Sequence, residues 1–518
     1  MTTAAPPSRV ETIVRRLLAT DDPEHRRTLI DRTLLDPEQC RQAVLQLCDE
    51  AAKLLGADPV RMQHLCESAA VLAERSGDGY LRAMVLMRSG DAQRVQGRNA
   101  DACRAYDAAA ALFRSVDRPV EAARTRIGWV HAMANLGRPD DAMRDARSAR
   151  RVLARLGAIF HLAVLELNVG NIHAEHGHYV EALRQYRSAL KRFDSLGEQG
   201  RLNAARCHAN CGRALSLMGA YESAFSELEV ARDVYESMGE VVGAARLTQS
   251  AGENHMALGR YGAALRDFEA ALAVFRDQQM WSEAVEASRN IADCYLHLNR
   301  PADALATIGE IEQGLQRVDN VPAALSITAR RVAAQLLLGD VQAALAETTD
   351  ADIDTLDAPI QHRAWFAVQR AVAQLRAGRP DLALDDARRG ERLARTAGMR
   401  RLQSDTRTLQ GQASLGLGDC DGAERNARRA LRLAHALDAA PALHRALELL
   451  GQVEDARHRP GAAARCYSAA IEQLEREQRG VIFEFRDGFS ASRNLAYERL
   501  TALQLQVGRA SAAFVTAE

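Results

Sequence analysis

Apolar residues recur at intervals of three and four along most of the chain, the spacing of helices that bury one face. Short breaks interrupt that period at near-constant distances. Nine breaks hold a Gly followed five residues later by Ala: Gly97/Ala102, Gly137/Ala142, Gly177/Ala182, Gly219/Ala224, Gly259/Ala264, Gly339/Ala344, Gly378/Ala383, Gly418/Ala423 and Gly508/Ala513. Asn299/Ala304 and His458/Ala463 keep the Ala and replace the Gly. Successive breaks lie 39 to 42 residues apart, with a last interval of 50, and a degenerate unit precedes them at Gly56. Self-similarity at such a period marks a repeat architecture.

Other positions repeat with the break. Seven residues before it stands a small residue, as at Gly90, Gly170, Gly212, Gly252, Ala292, Ala371, Gly411 and Gly451. Nine residues after it an aromatic often appears, at Tyr106, Tyr186, Phe268 and Tyr467, and twelve after it usually Ala. Pro follows at +2 in several units, at Pro139, Pro301, Pro380 and Pro460. Glycine supplies the left-handed geometry that ends one helix, and Pro suits the first turn of the next, where no N–H is needed. Each unit is therefore predicted to be a hairpin of two antiparallel helices, brought close by the small residues. A lone hairpin cannot bury its apolar face, so hairpins must stack.

On these residues the sequence resembles the tetratricopeptide (TPR) family. The small residue, the turn Gly at +7, and the alanines at +12 and +19 reproduce that family's spacing. The period departs from it, being about 40 here against about 34 there. The resemblance spans about Gly56 to the C-terminus and implies an all-α, right-handed superhelix of eleven or twelve hairpins. The expected organisation is a disordered segment over 1–10, a helical cap over 11–55, the repeat array over 56–470, and an extended helix with a final hairpin over 471–518. About ten residues are inserted around Val481–Phe485. The last helix, starting near Ala510 and stopping at Glu518, reads as cut short, the mark of a fragment or of an end covered by something else.

The closing stretch, Ile471 through Tyr497 to Phe514–Glu518, and the segment around Leu17–Leu35 also resemble bacterial TPR–CHAT proteins. In that family a caspase-like protease domain follows the repeats. No residue here matches its Cys/His dyad. The resemblance implies a sensor or regulatory arm and a caspase-like domain as a possible partner.

Composition narrows the function. Lys+Arg number 67 and Asp+Glu 68, so the net charge of −1 offers no general attraction for nucleic acid or anionic membrane. Aromatics are 5%, which disfavours an all-β fold. Nine cysteines without framework spacing suggest free thiols and a cytoplasmic protein. No apolar run approaches the roughly 20 residues of a membrane span, and residues 1–10 lack a signal-peptide core.

The candidate chemistry is thin. Cys207, His208 and Cys211 could ligate zinc with His173, His176 or His178, yet four convergent ligands are required, and small cysteines at packing positions explain the spacing. Gly416, Gly418 and Gly422 lack the strand and spacing of a nucleotide loop. His176–Gly177 sits at a helix end with no strand before it. No catalytic constellation stands out, so the chain is read as no enzyme, with no cofactor and no metal.

Binding surfaces are the remaining option. The first helix of each hairpin lines the concave face of a TPR superhelix. Nine residues before the turn Asn recurs, at Asn168, Asn210 and Asn290, with Ser250 between. Asn is a poor mid-helix residue, and its amide both donates and accepts, as a peptide backbone requires. The family resemblance implies that Asn at this position holds a peptide; the alternative is a hydrogen bond to the next hairpin. Arg206, Arg213, Arg246 and Arg289, mixed with Glu253 and Asp293, read as inward neighbours that would suit an acidic or C-terminal peptide, or else pair among themselves. Arg147, Arg151, Arg187 and Lys191, and the group Arg388, Arg389, Arg392, Arg428, Arg429 and Arg432, align on second helices among acids and without aromatics, which favours a solvated face. The expected function is a scaffold that binds a protein or peptide in the groove. The rivals are the TPR–CHAT regulatory arm, the sensor arm of a TPR-bearing transcriptional regulator, for which residues 1–50 are too short and too little basic, and nucleic-acid binding by the Arg stripes.

Overall fold

The computed structural model describes residues 8–20, 22–55, 58–315, 322–348, 353–354, 358–437, 439–478, 495–506 and 508–517. Among these residues there are 26 α-helices and no strand. They fall into two compact units, Met1–Met238 and Gly239–Glu518.

The first unit opens with α1 (Arg9–Leu18) and α2 (Pro23–Arg32). Five hairpins follow: α3/α4 (Pro37–Lys53, Pro59–Ser76), α5/α6 (Gly79–Val95, Asn99–Ser115), α7/α8 (Pro119–Asn135, Pro139–Arg155), α9/α10 (Ile159–Glu175, Tyr179–Asp194) and α11/α12 (Arg201–Leu217, Tyr221–Ser237). The second unit has seven. Its first four are α13/α14 (Val241–Ala257, Tyr261–Asp277), α15/α16 (Trp281–His297, Pro301–Leu315), α17/α18 (Pro322–Leu338, Val341–Ala346) and α19/α20 (Ile360–Arg376, Pro380–Thr396). Then come α21/α22 (Arg400–Gly416, Cys420–Ala436), α23/α24 (Ala440–Ala456, Pro460–Gln478) and α25/α26 (Leu495–Gln506, Ala510–Ala517). The fold is an all-α, TPR-type solenoid of stacked hairpins.

The long period has a simple cause. Most helices are 17 residues, and three-residue links join them. The turn glycines adopt φ between 71° and 82°, and Asn299 and His458 take φ 57° in their place. At Gly97 the N–H bonds to the Arg94 carbonyl at 3.0 Å and the Arg98 N–H to the Gln93 carbonyl at 2.8 Å, a Schellman closure. The same pair of bonds recurs at Gly137, Gly177, Gly219, Gly259, Asn299, Gly418 and His458. Second helices end alike, with positive φ at Asp117, Gly157, Gly197, Gln279 and Gly398. Sequence inspection found only the first of the two stops in each repeat.

The small residue before the turn has a specific task. The ring nine residues after the turn lies directly across it. A Cβ on Gly170 would stand 2.5 Å from Tyr186 Cε1, and one on Gly451 2.5 Å from Tyr467 Cε1. Gly90 and Gly252 seat Tyr106 and Phe268 in the same way. These rings are buried, and the tyrosine hydroxyls donate at 2.7–2.9 Å to Asp91, Asn171 and Asp455.

Several sequence expectations need correction. Helix α1 starts inside the stretch expected to be disordered, because Ser8 and Glu11 form a reciprocal capping box; residues 1–7 lie outside the described residues. Helix α3 pairs with α4 as a full hairpin, so only α1 and α2 precede the repeats. Helix α18 has six residues instead of a full second helix. The Thr348 hydroxyl donates to the Ala344 and Leu345 carbonyls just beyond it, and Ile353 is buried against Ala329, Phe366 and Ala367. The insertion around 481–485 lies outside the described residues.

Within the second unit the stack returns on itself. Leu474 of α24 packs against Tyr261 and Leu298, with Met256 and Tyr497 at the edge of the cluster. Among the described residues no helix is long and apolar enough to cross a membrane.

The glycine seats give a paired prediction. Gly170→Ala should destabilise by about 1–3 kcal/mol through overpacking against Tyr186. Gly309→Ala, in α16 with open space around the new methyl, should stabilise by about 0.5–1 kcal/mol. Urea titration followed by circular dichroism reads both signs.

Candidate functional site

Three consecutive first helices of the second unit, α15, α17 and α19, line one cavity of about 420 Å³. The contributing positions recur at three and four, so each helix presents a single stripe. Asn290, Arg330 and Gln369 occupy the same register, nine residues before their turns, and all three line the cavity. Leu296, Leu336, Leu337, Val372 and Met399 supply apolar wall. Trp365 faces the space while 43% exposed. Helix α19 is held from its other side by Arg370, which donates to both oxygens of Asp386 on α20 at 2.9 and 2.7 Å; both side chains are buried.

The polar groups of the wall differ in their commitments. Arg330 grips Asp293 through two bonds, at 2.8 and 2.6 Å, so this pair is self-satisfied and ties α17 to α15. Arg289 reaches Glu286 on its own helix at 3.1 Å. Arg376 is exposed and has no ion pair among the described residues. Asn290 is 8% exposed, and its amide has no hydrogen-bond partner among the described residues. His297 also lines the cavity and stacks on Tyr261, with centroids 4.7 Å apart and planes at 12°.

Of the nine residues expected in the groove, Arg289, Asn290 and Asp293 converge here. Arg246 and Glu253 lie on α13, the preceding first helix of the same unit. Arg246 pairs with Glu283 at 2.6 Å, and Glu253 accepts from Gln249 at 3.5 Å. The other four belong to the first unit. Asn210 donates at 3.0 Å to Asn171 of the preceding hairpin, so its amide links hairpins. Asn168 is half-buried with no hydrogen bond among the described residues. Arg206 reaches Asn203 on its own helix at 3.3 Å, and Arg213 is exposed. Arg330, Trp365, Gln369 and Arg376 were missed. Two of them share the Asn290 register, which the search for a repeated Asn passed over.

Two segments, residues 161–237 and 250–313, match models of the tetratricopeptide repeat. The hairpins of these two segments are tetratricopeptide repeats. No curated protein matches the sequence. Among solved structures, the chain is similar to a STAND (signal transduction ATPase with numerous domains) protein with a tetratricopeptide repeat sensor from Pyrococcus horikoshii. That match has 15% identity and a TM-score of 0.51, over 66% of this chain and 52% of that one. Aspartyl phosphate phosphatase F from Bacillus subtilis matches at 14% identity and TM-score 0.46, over 76% of this chain and 96% of that one. The quorum sensor NprR from B. thuringiensis matches at 13% and 0.44, over 76% and 99%. The family models carry the repeat, and none of the matches reaches the resemblance to TPR–CHAT proteins.

Elsewhere in the TPR hairpins the cysteines pack as small apolar groups. Cys207 and Cys211 are buried, and burial pushes both thiols up to about 12. His208 turns to Glu227 at 2.6 Å. Among the described residues no three His, Cys, Asp or Glu side chains form a metal-binding group. The basic residues on second helices are interleaved with acids, as in Arg428 beside Glu424 at 2.5 Å. Iodoacetamide at pH 8 should therefore modify only Cys420 and Cys466 in the folded chain, since the other seven are buried. Intact-mass counting before and after urea unfolding checks this.

Proposed function

We propose that the chain is a protein-interaction module that binds a peptide segment, with the second unit's cavity as the binding site. The carrying observation is Asn290, whose amide opens onto a mainly apolar cavity and has no hydrogen-bond partner among the described residues, although the residue is 8% exposed. A bound amide would satisfy it, and the Gln369 side chain in the same register offers a second such contact. The volume falls within the roughly 300–1,000 Å³ of ligand pockets. The solved relative from Pyrococcus horikoshii names its tetratricopeptide repeats a sensor, which agrees with this reading. The regulatory-arm reading drawn from TPR–CHAT proteins would give the bound segment a protease to control, and peptide binding stands without it. Asn168, Arg206 and Arg213 on first helices of the first unit are proposed as a separate, lesser contact surface.

The test is retention of a random octapeptide pool by the immobilised full chain. Asn290→Ala with Gln369→Ala should lower retention about tenfold, the loss of one or two hydrogen bonds from a buried site, with melting nearly unchanged. Asn210→Ala should do the reverse, costing about 1 kcal/mol of stability through the lost bond to Asn171 while leaving retention intact. Equal retention by the cavity variant and the wild type would move the site elsewhere.

A further inference from the structure

We infer that the outer face of the first unit is a contact surface for a second copy of this chain. It is made by the second helices α10 and α12, about a two-fold axis that runs along them. This surface is separate from the cavity and independent of the peptide-binding reading.

The two helices carry opposite charge at the same register. Ten and fourteen residues after their turns, α10 has Arg187 and Lys191, and α12 has Glu229 and Asp233. All four are exposed, because other positions take the inward side of each helix: Tyr186, Ala189 and Phe193 on α10, and Ala224, Leu228 and Ala231 on α12. None of the four has an ion pair among the described residues. Many other outer cations are spent within the chain, as Arg144 is on Asp141, Arg395 on Glu391 and Arg428 on Glu424. Val230 stands between the two acids, 45% exposed.

A surface with a cationic row beside an anionic row complements itself. Turn a copy by half a revolution about an axis parallel to the helices, and its α10 lies on the first copy's α12, parallel and level. Arg187 then meets the second copy's Glu229, and Lys191 meets the second copy's Asp233. The same two contacts repeat across the axis, so the interface is isologous and closes at two copies. The paired positions are four residues apart on both helices, or about 6 Å at 1.5 Å per residue, so both pairs form together. At the end of the helices Asp194 and Glu236 come level, and there Glu236 shares its charge with Arg232 at 3.8 Å.

The other occupant to weigh is a polyanion. Arg147 and Arg151 of α8 hold the same register on the far side of α10 and widen the cationic half. A nucleic-acid duplex would use them, but it would bring phosphates against Glu229 and Asp233, and like charges facing across an interface disfavour a partner. The second copy turns those acids into contacts. Exposed ion pairs are individually weak and screened by salt, so the association belongs to the weak, salt-sensitive kind.

The experiment is sedimentation velocity of the full chain across the micromolar range. The chain should be dimeric at about 0.01 M ionic strength and monomeric at about 1 M, where the screening length falls from about 30 Å to about 3 Å. Arg187→Glu with Lys191→Glu should be monomeric at low salt, and so should Glu229→Arg with Asp233→Lys. An equimolar mixture of these two variants should recover a dimer with one copy of each, because every facing pair is again opposite in charge. All four positions are exposed, and unchanged melting of both variants separates lost contact from lost folding. A wild type that stays monomeric at low salt overturns the inference. A dimer that survives either variant, or a mixture that stays monomeric, overturns the pairing of these rows. A monomeric wild type that binds a short DNA duplex, and loses it on Arg187→Glu with Lys191→Glu, assigns the cations to a polyanion and overturns the second copy as occupant.

Discussion

Most helices of the repeats stop at a residue in the left-handed region about 17 residues after they start, and at the turn inside most hairpins a pair of Schellman bonds closes the end. Everything else follows from that fixed length. Equal helices keep equivalent positions of successive hairpins in register, so a residue nine before one turn lies level with the residue nine before the next. Without the register, Asn290, Arg330 and Gln369 would not share a wall. Glycine reaches the required geometry without a Cβ clash, and Asn299 and His458 tolerate it as other side chains rarely do.

The aromatic seated on glycine is the second device that spacing alone permits. It locks the second helix of a hairpin against the first at one point, and the tyrosine hydroxyl then spends its hydrogen bond on the first helix. Hairpin α17/α18 has Val332 at the small position, and its second helix ends after six residues. There α17 packs directly on α19, and the cavity lies across these helices and α15. His297 stands on the cavity wall and stacks on Tyr261, which belongs to the contact that returns α24 onto α14. The cavity wall and the contact that returns α24 onto α14 are thus joined through the His297–Tyr261 stack.

The candidate site was only partly legible. The repeated Asn marked a register on the first helices that at Asn290 lines the cavity, because a poor helix former placed repeatedly in mid-helix signals a side-chain role. It could not tell the three asparagines apart. Asn210 meets Asn171 across the hairpin boundary, and Asn290 meets no partner among the described residues, although both occupy the same register. The difference lies in what the neighbouring hairpin presents, and sequence inspection of one repeat does not see its neighbour. The arginines divide in the same way: Arg246 is committed to Glu283 from the next first helix, whereas Arg376, on the same face in a later repeat, has no such acid.

Helix length, stop positions, hairpin pairing and the all-α class were written locally, in glycines, prolines and the three-and-four period, because these act through bonds within a few residues. The 20-residue half-repeat was present there too, obscured where Asp117 and Gln279 replace glycine. Which polar groups are spent on neighbours and which remain open was decided by the stacking of one hairpin on the next. So was the return of Leu474 to Tyr261, and so was the cavity lined by α15, α17 and α19. Those outcomes depend on residues tens to hundreds of positions apart in the chain, and a local pattern carries no term for such distances.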